Sequence, residues 1–395
     1  MTPGFVAVIM AGGQGQRFWP LSTAGKPKQF LDLRRTGRSL LQATYDRVLR
    51  LAGTPGRVLV ATARRYVDLV REQLPDLPLE NLLVEPTPRD SAPAIALASL
   101  TIEQRFGPDV VAGFFSSDHE VADTAAFERA ARAAIALAAG EDGLVTIGIT
   151  PTRPATGYGY IEVGAPVGAP GPLGADPTQT GTDPTPAGTD PTQTGPRPTA
   201  LGHRVARFVE KPNLRTAEAY LATGGYLWNA GIFVWRVGTA LAELDRHDPE
   251  LMRPLREAFA SGRVTEAFPS LKKISIDFAL MERTDRALVV PGDFGWDDIG
   301  DWVALERLLG TQDGPGGANT VVGRHVGLDA SRNIVYTDDP EDVIVTLGVH
   351  DLVIVKRGNA VMLVHKDRVQ EIKTLLADER MAALLDEVEG AAAGE

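Results

Sequence analysis

The chain has 395 residues, a net charge of −11 and no cysteine. This length exceeds the usual size of one domain, so we expect a large domain and a smaller one. The lack of cysteine excludes disulfides, thiolate zinc sites and cysteine nucleophiles, and the acidic charge argues against a general nucleic-acid-binding protein.

Apolar runs in the chain are short. The run at 5–10 has no basic segment before it and meets a glycine turn, which predicts a buried strand and not a signal peptide. No run approaches the roughly 18 to 20 apolar residues that a membrane span needs. We therefore expect a cytoplasmic protein without a membrane partner.

Residues 5–150 alternate apolar, β-rich runs with helical stretches rich in alanine and leucine. The predicted strands are at 5–10, 57–62, 81–85, 110–115 and 144–149, and the predicted helices are near 39–52, 64–73, 90–105 and 123–139. Nearly continuous apolar strands separated by helices are typical of a parallel sheet covered on both faces. The pattern predicts an α/β fold with a Rossmann-like, mostly parallel sheet and helices on both faces.

Residues 164–200 interrupt this pattern. Three near-copies of a seven-residue unit, ADPTQTG, TDPTPAG and TDPTQTG, cover 175–195. This composition buries too little apolar surface to offset chain entropy, so it predicts a disordered, low-complexity insertion. The insertion separates two strands of a hairpin, predicted at 158–163 and 203–211, and a surface loop is favoured over a recognition segment.

The alternation resumes after the insertion and ends near residue 312. The predicted elements are a strand at 226–236, helices at 237–260 and 276–283, a strand at 286–290 and a helix at 301–309. The glycine-rich segment 313–319 is typical of a linker, and the short β runs after it predict a small all-β, β-helix-like domain. We place the domains at 1–312 and 313–395, with a terminal helix near 367–386.

Glycines cluster where the first predicted strand ends. Gly12, Gly13 and Gly15 stand there, and a bare backbone lets N–H groups approach phosphate oxygens. The segment is not a Walker loop, because no G-K-[ST] follows, and Phe18 stands at the third glycine position of a dinucleotide fingerprint. It predicts an anion-binding loop of another kind, with a purely structural turn as the alternative.

Several cations follow these glycines. Arg17, Lys26 and Lys28 are close to them in the chain, and Pro20 and Pro27 indicate an ordered segment. Arginine and lysine beside a phosphate-binding loop neutralise charge on a transferring phosphoryl group. The segment therefore predicts a pocket for a phosphorylated ligand, with solubilising surface cations as the alternative.

Two aspartates suit a hard metal ion. Asp118 follows the strand predicted at 110–115, at the sheet edge where ligands bind in open α/β folds, and Asp298 lies far along the chain. Magnesium is usually held by one or two carboxylates plus substrate phosphates. On residue chemistry alone, an isolated aspartate at a strand end is more often a helix cap.

Taken in order, the motifs resemble a known family. AGGQGQRFWPLS with KPKQFL resembles the nucleotide-binding signature of sugar-1-phosphate nucleotidyltransferases, apart from Gln16, where that family usually has threonine or serine. The further matching motifs are EPTPRDSAPAI, SSDH, TGYGYIE, FVEKP, WNAGIFVW, SIDFALME and GWDDIGDW. Within the family, these forms are most similar to mannose-1-phosphate guanylyltransferases.

The resemblance implies transfer of GMP from GTP to α-D-mannose 1-phosphate, giving GDP-mannose and pyrophosphate, with Mg²⁺ as cofactor. It assigns Arg17 and Lys28 to charge stabilisation, and Asp118 and Asp298 to magnesium binding. The implied nucleotide-binding residues are Ala11, Gly12, Gly13, Gly15, Glu85, Arg89, Asp90 and Ser91. The implied sugar-phosphate-binding residues are Tyr158, Gly159, Glu210, Lys211, Asn229 and Gly231, with Glu162 and Asp277 as weaker candidates.

Structural roles are alternatives for some of these residues. Asp90 or Ser91 would cap the helix that starts there, and Glu210 with Lys211 would form a surface ion pair. His119 is not needed as a general base, because the attacking phosphate oxygen is already ionised, so we expect it to hold neighbouring groups.

Three functional alternatives stay open. Another sugar 1-phosphate or nucleotide, such as glucose 1-phosphate with UTP or dTTP, would use the same motifs. A non-catalytic sugar-nucleotide-binding regulator is the second, and the intact cations and aspartates argue against it. Some relatives carry a cupin-type isomerase domain, but the C-terminal region here has no H-x-H cluster. We expect that region to pack on the first domain or to form a homodimer contact.

Overall fold

The computed structural model describes residues 4–13, 15–168, 201–312, 318–381 and 384–385. The strands are β1 (Phe5–Ala11), β2 (Val58–Ala63), β3 (Leu82–Glu85), β4 (Val111–Ser116), β5 (Glu120–Val121), β6 (Leu144–Ile149), β7 (Tyr160–Val167), β8 (Gly202–Val209), β9 (Tyr226–Arg236), β10 (Ala287–Gly292), β11 (Trp296–Asp297), β12 (Thr320–Val322), β13 (Arg324–Leu328), β14 (Ile334–Thr337), β15 (Val343–Leu347), β16 (Leu352–Arg357) and β17 (Ala360–His365). The helices are α1 (Leu40–Ala52), α2 (Val67–Gln73), α3 (Ser91–Phe106), α4 (Thr124–Gly140), α5 (Leu214–Thr223), α6 (Val237–His247), α7 (Pro249–Ala260), α8 (Val264–Ala267), α9 (Trp302–Leu309) and α10 (Ile372–Leu376).

The large domain is built on a mixed sheet with the strand order β3-β2-β1-β4-β9-β6-β10-β8-β7. β1, β2, β3 and β4 pair in parallel, as do β6 and β10, whereas β9 runs antiparallel between β4 and β6. The α/β prediction is confirmed. The sheet is mixed, because β9, β8 and β7 pair antiparallel with their neighbours, where the sequence predicts a mostly parallel sheet. The carboxyl ends of β1, β3 and β4 meet at one edge, which brings their following loops together.

Helices cover both faces of this sheet, as predicted. One hydrophobic core joins the sheet to α1 and α4 through side chains such as Tyr45 and Phe127. A second core joins the opposite face to α3, α6 and α7 through side chains such as Ile95 and Leu241. The continuous apolar strands of the sequence are thus buried between two helical layers.

Local capping explains where several helices begin and end. Ser39 and Gln42 form a reciprocal capping box at the start of α1, and Gly53 ends that helix with φ +78°. The single helix predicted at 237–260 is instead two helices, because Asp248 caps α7 and Pro249 occupies its first turn. The aspartate and proline therefore divide an otherwise continuous helical pattern.

Two predicted boundaries need correction. The sequence predicts that the insertion begins at residue 164, but β7 continues to Val167, and Pro166 and Val167 still pair with β8. The remainder, 169–200, lies outside the described residues, as does 313–317 of the predicted linker. The terminal helix predicted at 367–386 starts as a 3-10 turn at Lys366–Glu371 and becomes α10, which ends at Leu376. After a turn, residues 379–381 and 384–385 are helical again.

The C-terminal strands stack in parallel, as a β-helix-like domain requires. β12, β14 and β16 form one parallel ladder, β13 and β15 form another, and β17 adds antiparallel to β16. A buried asparagine links successive layers: Asn333 donates through Nδ2 to Asn319 Oδ1 at 3.1 Å, and its Oδ1 accepts from the Leu352 N–H at 3.0 Å. The second of these bonds satisfies a backbone N–H that the turn leaves unpaired.

This small domain packs on the large one through a third core. Phe18 and Trp302 of the large domain are buried with Tyr336 and Ile372 of the small one. Arg357 Nη1 donates to the Pro20 carbonyl oxygen at 3.0 Å across the same contact. In the described part of the chain, no helix combines the length and apolar character that crossing a bilayer demands.

Candidate functional site

One glutamine orders the glycine segment that follows β1. Gln29 Nε2 donates to the carbonyl oxygens of Ala11 at 3.2 Å and Gly13 at 2.9 Å. Because peptide bonds are trans, the N–H of Gly12 points away from Gln29. Gly12 and Gly13 line a cavity at the carboxyl edge of the sheet, so bare backbone faces the place where the sequence predicts phosphate.

Gly15 brings this segment into contact with Lys28. Its φ is +53°, and a Cβ at this position would lie 2.4 Å from Lys28 Cβ. Ser22 Oγ donates to the Gly15 carbonyl oxygen at 2.6 Å. Both the backbone conformation and the close approach therefore require glycine.

The ammonium of Lys28 joins parts of the chain that are far apart in sequence. Its Nζ lies 2.8 Å from Asp118 Oδ2, and it donates to the carbonyl oxygens of Asp298 at 2.7 Å and Ile299 at 3.0 Å. Three acceptors account for the three N–H donors of an ammonium. Lys28 therefore acts here as a connection between β4 and the loop after β11, in addition to supplying charge.

Asp118 follows β4, as the sequence suggests, and it faces Lys28. Burial raises the pKa of the Asp118 carboxyl, but Lys28 and the other charges and hydrogen bonds around it together lower the pKa more, so it lies below its ordinary value. The neighbouring His119 accepts a hydrogen bond at Nδ1 from Trp296 Nε1 at 3.2 Å, and burial holds its pKa below the usual range. A neutral, hydrogen-bonded His119 agrees with a supporting role.

A chain of hydrogen bonds orients Asp298. Tyr158 Oη donates to Asp298 Oδ1 at 2.8 Å, and Arg153 Nη2 donates to Tyr158 Oη at 2.9 Å. The Arg153 guanidinium also lies over the rings of Tyr158 and Trp228. Burial, and next the charge of Asp298, raise the pKa of Tyr158, which keeps its proton available for Asp298.

The two aspartates line one cavity together with Gly15, Arg17, Lys28 and Lys373. Across the described ranges, three or more acidic, histidine or cysteine side chains nowhere gather as a metal-binding group. An ion here would take carboxylate oxygen from Asp118 and Asp298 and its remaining ligands from phosphate and water. This hard-oxygen donor set, with few protein ligands, fits magnesium.

A second cavity beside the glycine segment contains five of the predicted nucleotide-binding residues. Glu85, Asp90 and Ser91 line it with Gly12 and Gly13. Glu85 is 7% exposed, and burial raises the pKa of its carboxyl to about 7. Its carboxylate forms no hydrogen bond or ion pair with other residues in the part of the chain that the structure describes.

The structure also explains the segment after Glu85. The Asp90 carboxylate accepts from the Ser91 N–H at 2.8 Å at the start of α3, and Ser91 Oγ accepts from the Ile276 N–H at 2.9 Å. Both residues therefore have structural roles as well as a place in the cavity. Arg89 is not among the residues that line this cavity.

Glu210 and Lys211 form an ion pair at the end of the hairpin. Lys211 Nζ lies 2.7 Å from Glu210 Oε1, and the pair raises the pKa of Lys211 above its ordinary value although burial lowers it. Gly159 lies close by, since a Cβ there would be 2.5 Å from Glu210 Oε2. The hairpin brings these three predicted sugar-phosphate residues together.

Asn229, on β9, is held by hydrogen bonds to three neighbouring residues. Its Oδ1 accepts from the Gly231 N–H at 3.1 Å and from Thr146 Oγ1 at 3.0 Å, and its Nδ2 donates to Asp277 Oδ1 at 2.9 Å. Burial, and next the charge of Glu210, raise the pKa of Asp277 to about 7. Asp277 therefore belongs to the same polar cluster as Glu210 and Asn229.

Sequence reasoning missed some residues of the site. Arg153 precedes the TGYGYIE motif, and a cation so close to that motif is a signal that could have identified it. Lys373 has no local signal at all. Glu162, a weak candidate, instead pairs with Arg207 at 3.1 Å.

The chain matches the family model described as nucleotidyl transferase over residues 6–309, and therefore belongs to that family. Residues 323–378 match a second model, described as a MannoseP isomerase/GMP-like beta-helix domain, which confirms the β-helix-like prediction.

Several named proteins are similar to this chain over most of its length. The chain is 37% identical to a mannose-1-phosphate guanylyltransferase of Escherichia coli K12, over 93% of this chain and 72% of that protein. It is also 37% identical to the xanthan biosynthesis protein XanB of Xanthomonas campestris pv. campestris B100, over 95% of this chain and 73% of that one. A crystal structure from Thermus thermophilus, described as a mannose-1-phosphate geranyltransferase, is similar with a TM-score of 0.79 and 34% identity, covering 95% and 98% of the two chains.

Proposed function

We propose that this protein transfers GMP from GTP to α-D-mannose 1-phosphate, giving GDP-mannose and pyrophosphate. The observation that carries the proposal is the cavity in which Asp118 and Asp298 meet Gly15, Arg17 and Lys28. Relatives that are 37% identical to this chain over the aligned residues bear the name of that activity. The alternatives that the sequence leaves open, another sugar 1-phosphate or nucleotide and a non-catalytic regulator, lack this support.

The transfer is a displacement at the α-phosphorus. A phosphate oxygen of mannose 1-phosphate forms a bond to the α-phosphorus while the bond to the α–β bridging oxygen breaks, and its electron pair leaves with pyrophosphate. The attacking oxygen is already ionised, so no side chain has to remove a proton. Arg17 and the Gly12 and Gly13 backbone would stabilise the charge, and positioning supplies the rest.

A divalent ion fits this site, and we propose Mg²⁺. Asp118 and Asp298 would hold it, and when bound it neutralises charge on the phosphate oxygens. Tyr158 keeps the Asp298 carboxylate in place, and Lys28 does the same for Asp118.

The carboxylate of Glu85 favours guanine as the base of the nucleotide substrate. A carboxylate offers two acceptor oxygens, and guanine presents two adjacent donors, N1–H and the 2-amino group, on one edge. Uracil and thymine place carbonyl oxygens beside their single N–H, which a carboxylate repels. On the other side, we propose that Glu210, Lys211 and the Asn229 cluster bind the sugar phosphate, with Lys211 facing the phosphate.

A panel assay tests the proposal. Pyrophosphate release is measured for GTP, ATP, UTP and dTTP, each with mannose 1-phosphate and glucose 1-phosphate, with Mg²⁺ or with EDTA. We expect the highest kcat/KM for GTP with mannose 1-phosphate and no turnover in EDTA. Preference for UTP or dTTP with glucose 1-phosphate would replace the proposal with its nearest rival, and release with no pair would favour a non-catalytic regulator.

The proposal also includes the cellular location and the oligomeric state of the protein. Because the reaction consumes GTP, we propose a cytoplasmic location. We also propose a homodimer, since Val326, Leu328, Val345 and Leu347 on β13 and β15 are 61%, 65%, 71% and 69% exposed on one apolar face. Sedimentation should show a dimer that Val345→Asp converts to a monomer, and a monomeric wild type would remove this part.

A further inference from the structure

A lysine from the small domain lines the cavity of the large one. Lys373 belongs to α10, yet it borders the same cavity as Gly15, Arg17 and the two aspartates. It lies outside the part of the chain that matches the nucleotidyl transferase model. The cavity is therefore formed by both domains.

Packing holds this lysine in place. Ile372, which precedes it, is 3% exposed and belongs to the core that contains Phe18 and Trp302. α10 contacts the 3-10 turn Gln16–Phe18, which carries Arg17. Lys366 Nζ also pairs with Glu306 Oε1 at 2.5 Å, and so fixes the start of the 3-10 turn that leads into α10.

Lys373 differs from Lys28 in the partners of its charge. Among the residues that the structure describes, its ammonium forms no hydrogen bond or ion pair. The three N–H donors of Lys28, in contrast, all have protein acceptors. Arg17 makes one bond to the described residues, from Nη1 to the Gly300 carbonyl oxygen at 3.4 Å. Among the described residues that line this cavity, Arg17 and Lys373 are thus the cations that have donors to offer a ligand.

We propose that Lys373 binds the β- and γ-phosphate oxygens of the nucleoside triphosphate, and the pyrophosphate that leaves. This inference rests on the proposed function. The position supports the triphosphate over the sugar phosphate, because Lys373 shares its cavity with the glycine segment and Arg17, whereas Glu210 and Lys211 do not line it. The C-terminal domain then supplies a ligand-binding side chain and is not a spacer alone.

Pyrophosphate binding tests the inference without turnover. Titration calorimetry with magnesium pyrophosphate is compared for the full-length wild type, Lys373→Ala, Lys373→Arg and Lys273→Ala. Lys273 is an exposed lysine away from the cavity and controls for the loss of one positive charge. We expect about a tenfold weaker affinity in Lys373→Ala, as for the loss of one charge-assisted hydrogen bond, with most affinity kept in Lys373→Arg and Lys273→Ala.

Steady-state kinetics add a second readout. In Lys373→Ala we expect the KM for GTP and the inhibition constant of pyrophosphate to rise by about the same factor, with the KM for mannose 1-phosphate unchanged. Affinity for pyrophosphate within twofold of wild type in Lys373→Ala, or no binding by the wild type, would overturn the inference. Wild-type protein that binds pyrophosphate through Lys373 but releases none from GTP would count against the proposed function instead.

Discussion

Lys28 is only 4% exposed, and its ammonium touches three oxygens from two distant parts of the chain. Its loss would leave the carboxylate of Asp118 without a cation and the carbonyl oxygens of Asp298 and Ile299 without a donor. A buried charge without its partner is costly, although the Asp118 side chain is 30% exposed and water reduces that cost. Lys28 therefore both connects two distant segments of the chain and supplies a positive charge.

We predict that Lys28→Met lowers the free energy of unfolding by about 1–3 kcal/mol and lowers kcat at least about a hundredfold. Urea denaturation and pyrophosphate release measure the two effects. Lys26→Met is the matched control for stability, since Lys26 is exposed, and should change it by less than about 0.5 kcal/mol. Equal stability of the two variants would show that the contacts of Lys28 do not stabilise the fold.

Glu85 gives a prediction that depends on pH. Burial raises the pKa of this carboxyl to about 7, so the folded state keeps its proton at pH values where the unfolded state, with the ordinary pKa, has released it. Stability is therefore lost as pH rises from about 4.5 to 7, and the full penalty remains above 7.

Glu85→Gln removes this charge with little change in shape. At pH 8 we expect its free energy of unfolding, measured by urea denaturation, to exceed that of the wild type by about 2–3 kcal/mol. At pH 4.5 the two should be about equally stable. It should also lose preference for GTP in the nucleotide panel. A stability difference that does not change with pH would contradict the assigned protonation.

At the scale of elements, the glycine segment depends on both backbone conformation and space. Gly15 has φ +53°, and an added Cβ would approach the Lys28 backbone nitrogen to 2.9 Å, so the chain itself would have to move. The carbonyl oxygens of Ala11 and Gly13 are held by Gln29 in the same turn. A shift there would displace the backbone that faces the phosphate.

We predict that Gly15→Ala lowers the free energy of unfolding by about 1–3 kcal/mol and raises the KM for GTP. Gly13→Ala is the matched variant for stability, because a Cβ at Gly13 has nothing within 4 Å, and should cost less than about 1 kcal/mol. Thermal and urea unfolding distinguish the two. If both alanines were tolerated equally, the close approach to Lys28 would not constrain the loop.

At the scale of the whole molecule, the third core makes the two domains interdependent. Ile372 of the small domain is 3% exposed and shares this core with Phe18 and Trp302 of the large one. We predict that Ile372→Ala lowers the free energy of unfolding by about 2–4 kcal/mol in a single transition. Leu375→Ala, at a site that is 47% exposed, should cost less than about 1 kcal/mol. Two separate transitions in calorimetry would show that the domains unfold independently.

Most of the secondary structure could be predicted from the sequence. The strand predicted at 226–236 has those bounds in β9, and the helix predicted at 301–309 starts one residue later in α9. Apolar periodicity, glycines and capping residues act on neighbouring positions, so they are legible in a short stretch of chain. For the same reason the glycine segment and Asp118 could be placed at the end of their strands.

The order of strands and the contacts of the site required the tertiary structure. Nothing local shows that β9 enters between β4 and β6, that Lys28 reaches the backbone of Asp298, or that Lys373 borders the same cavity. The sequence by itself determined which residues form each element and which motifs carry chemistry. Which of these residues meet was decided by packing between distant segments, because such contacts depend on the path of the whole chain and leave no periodic signal in any part of it.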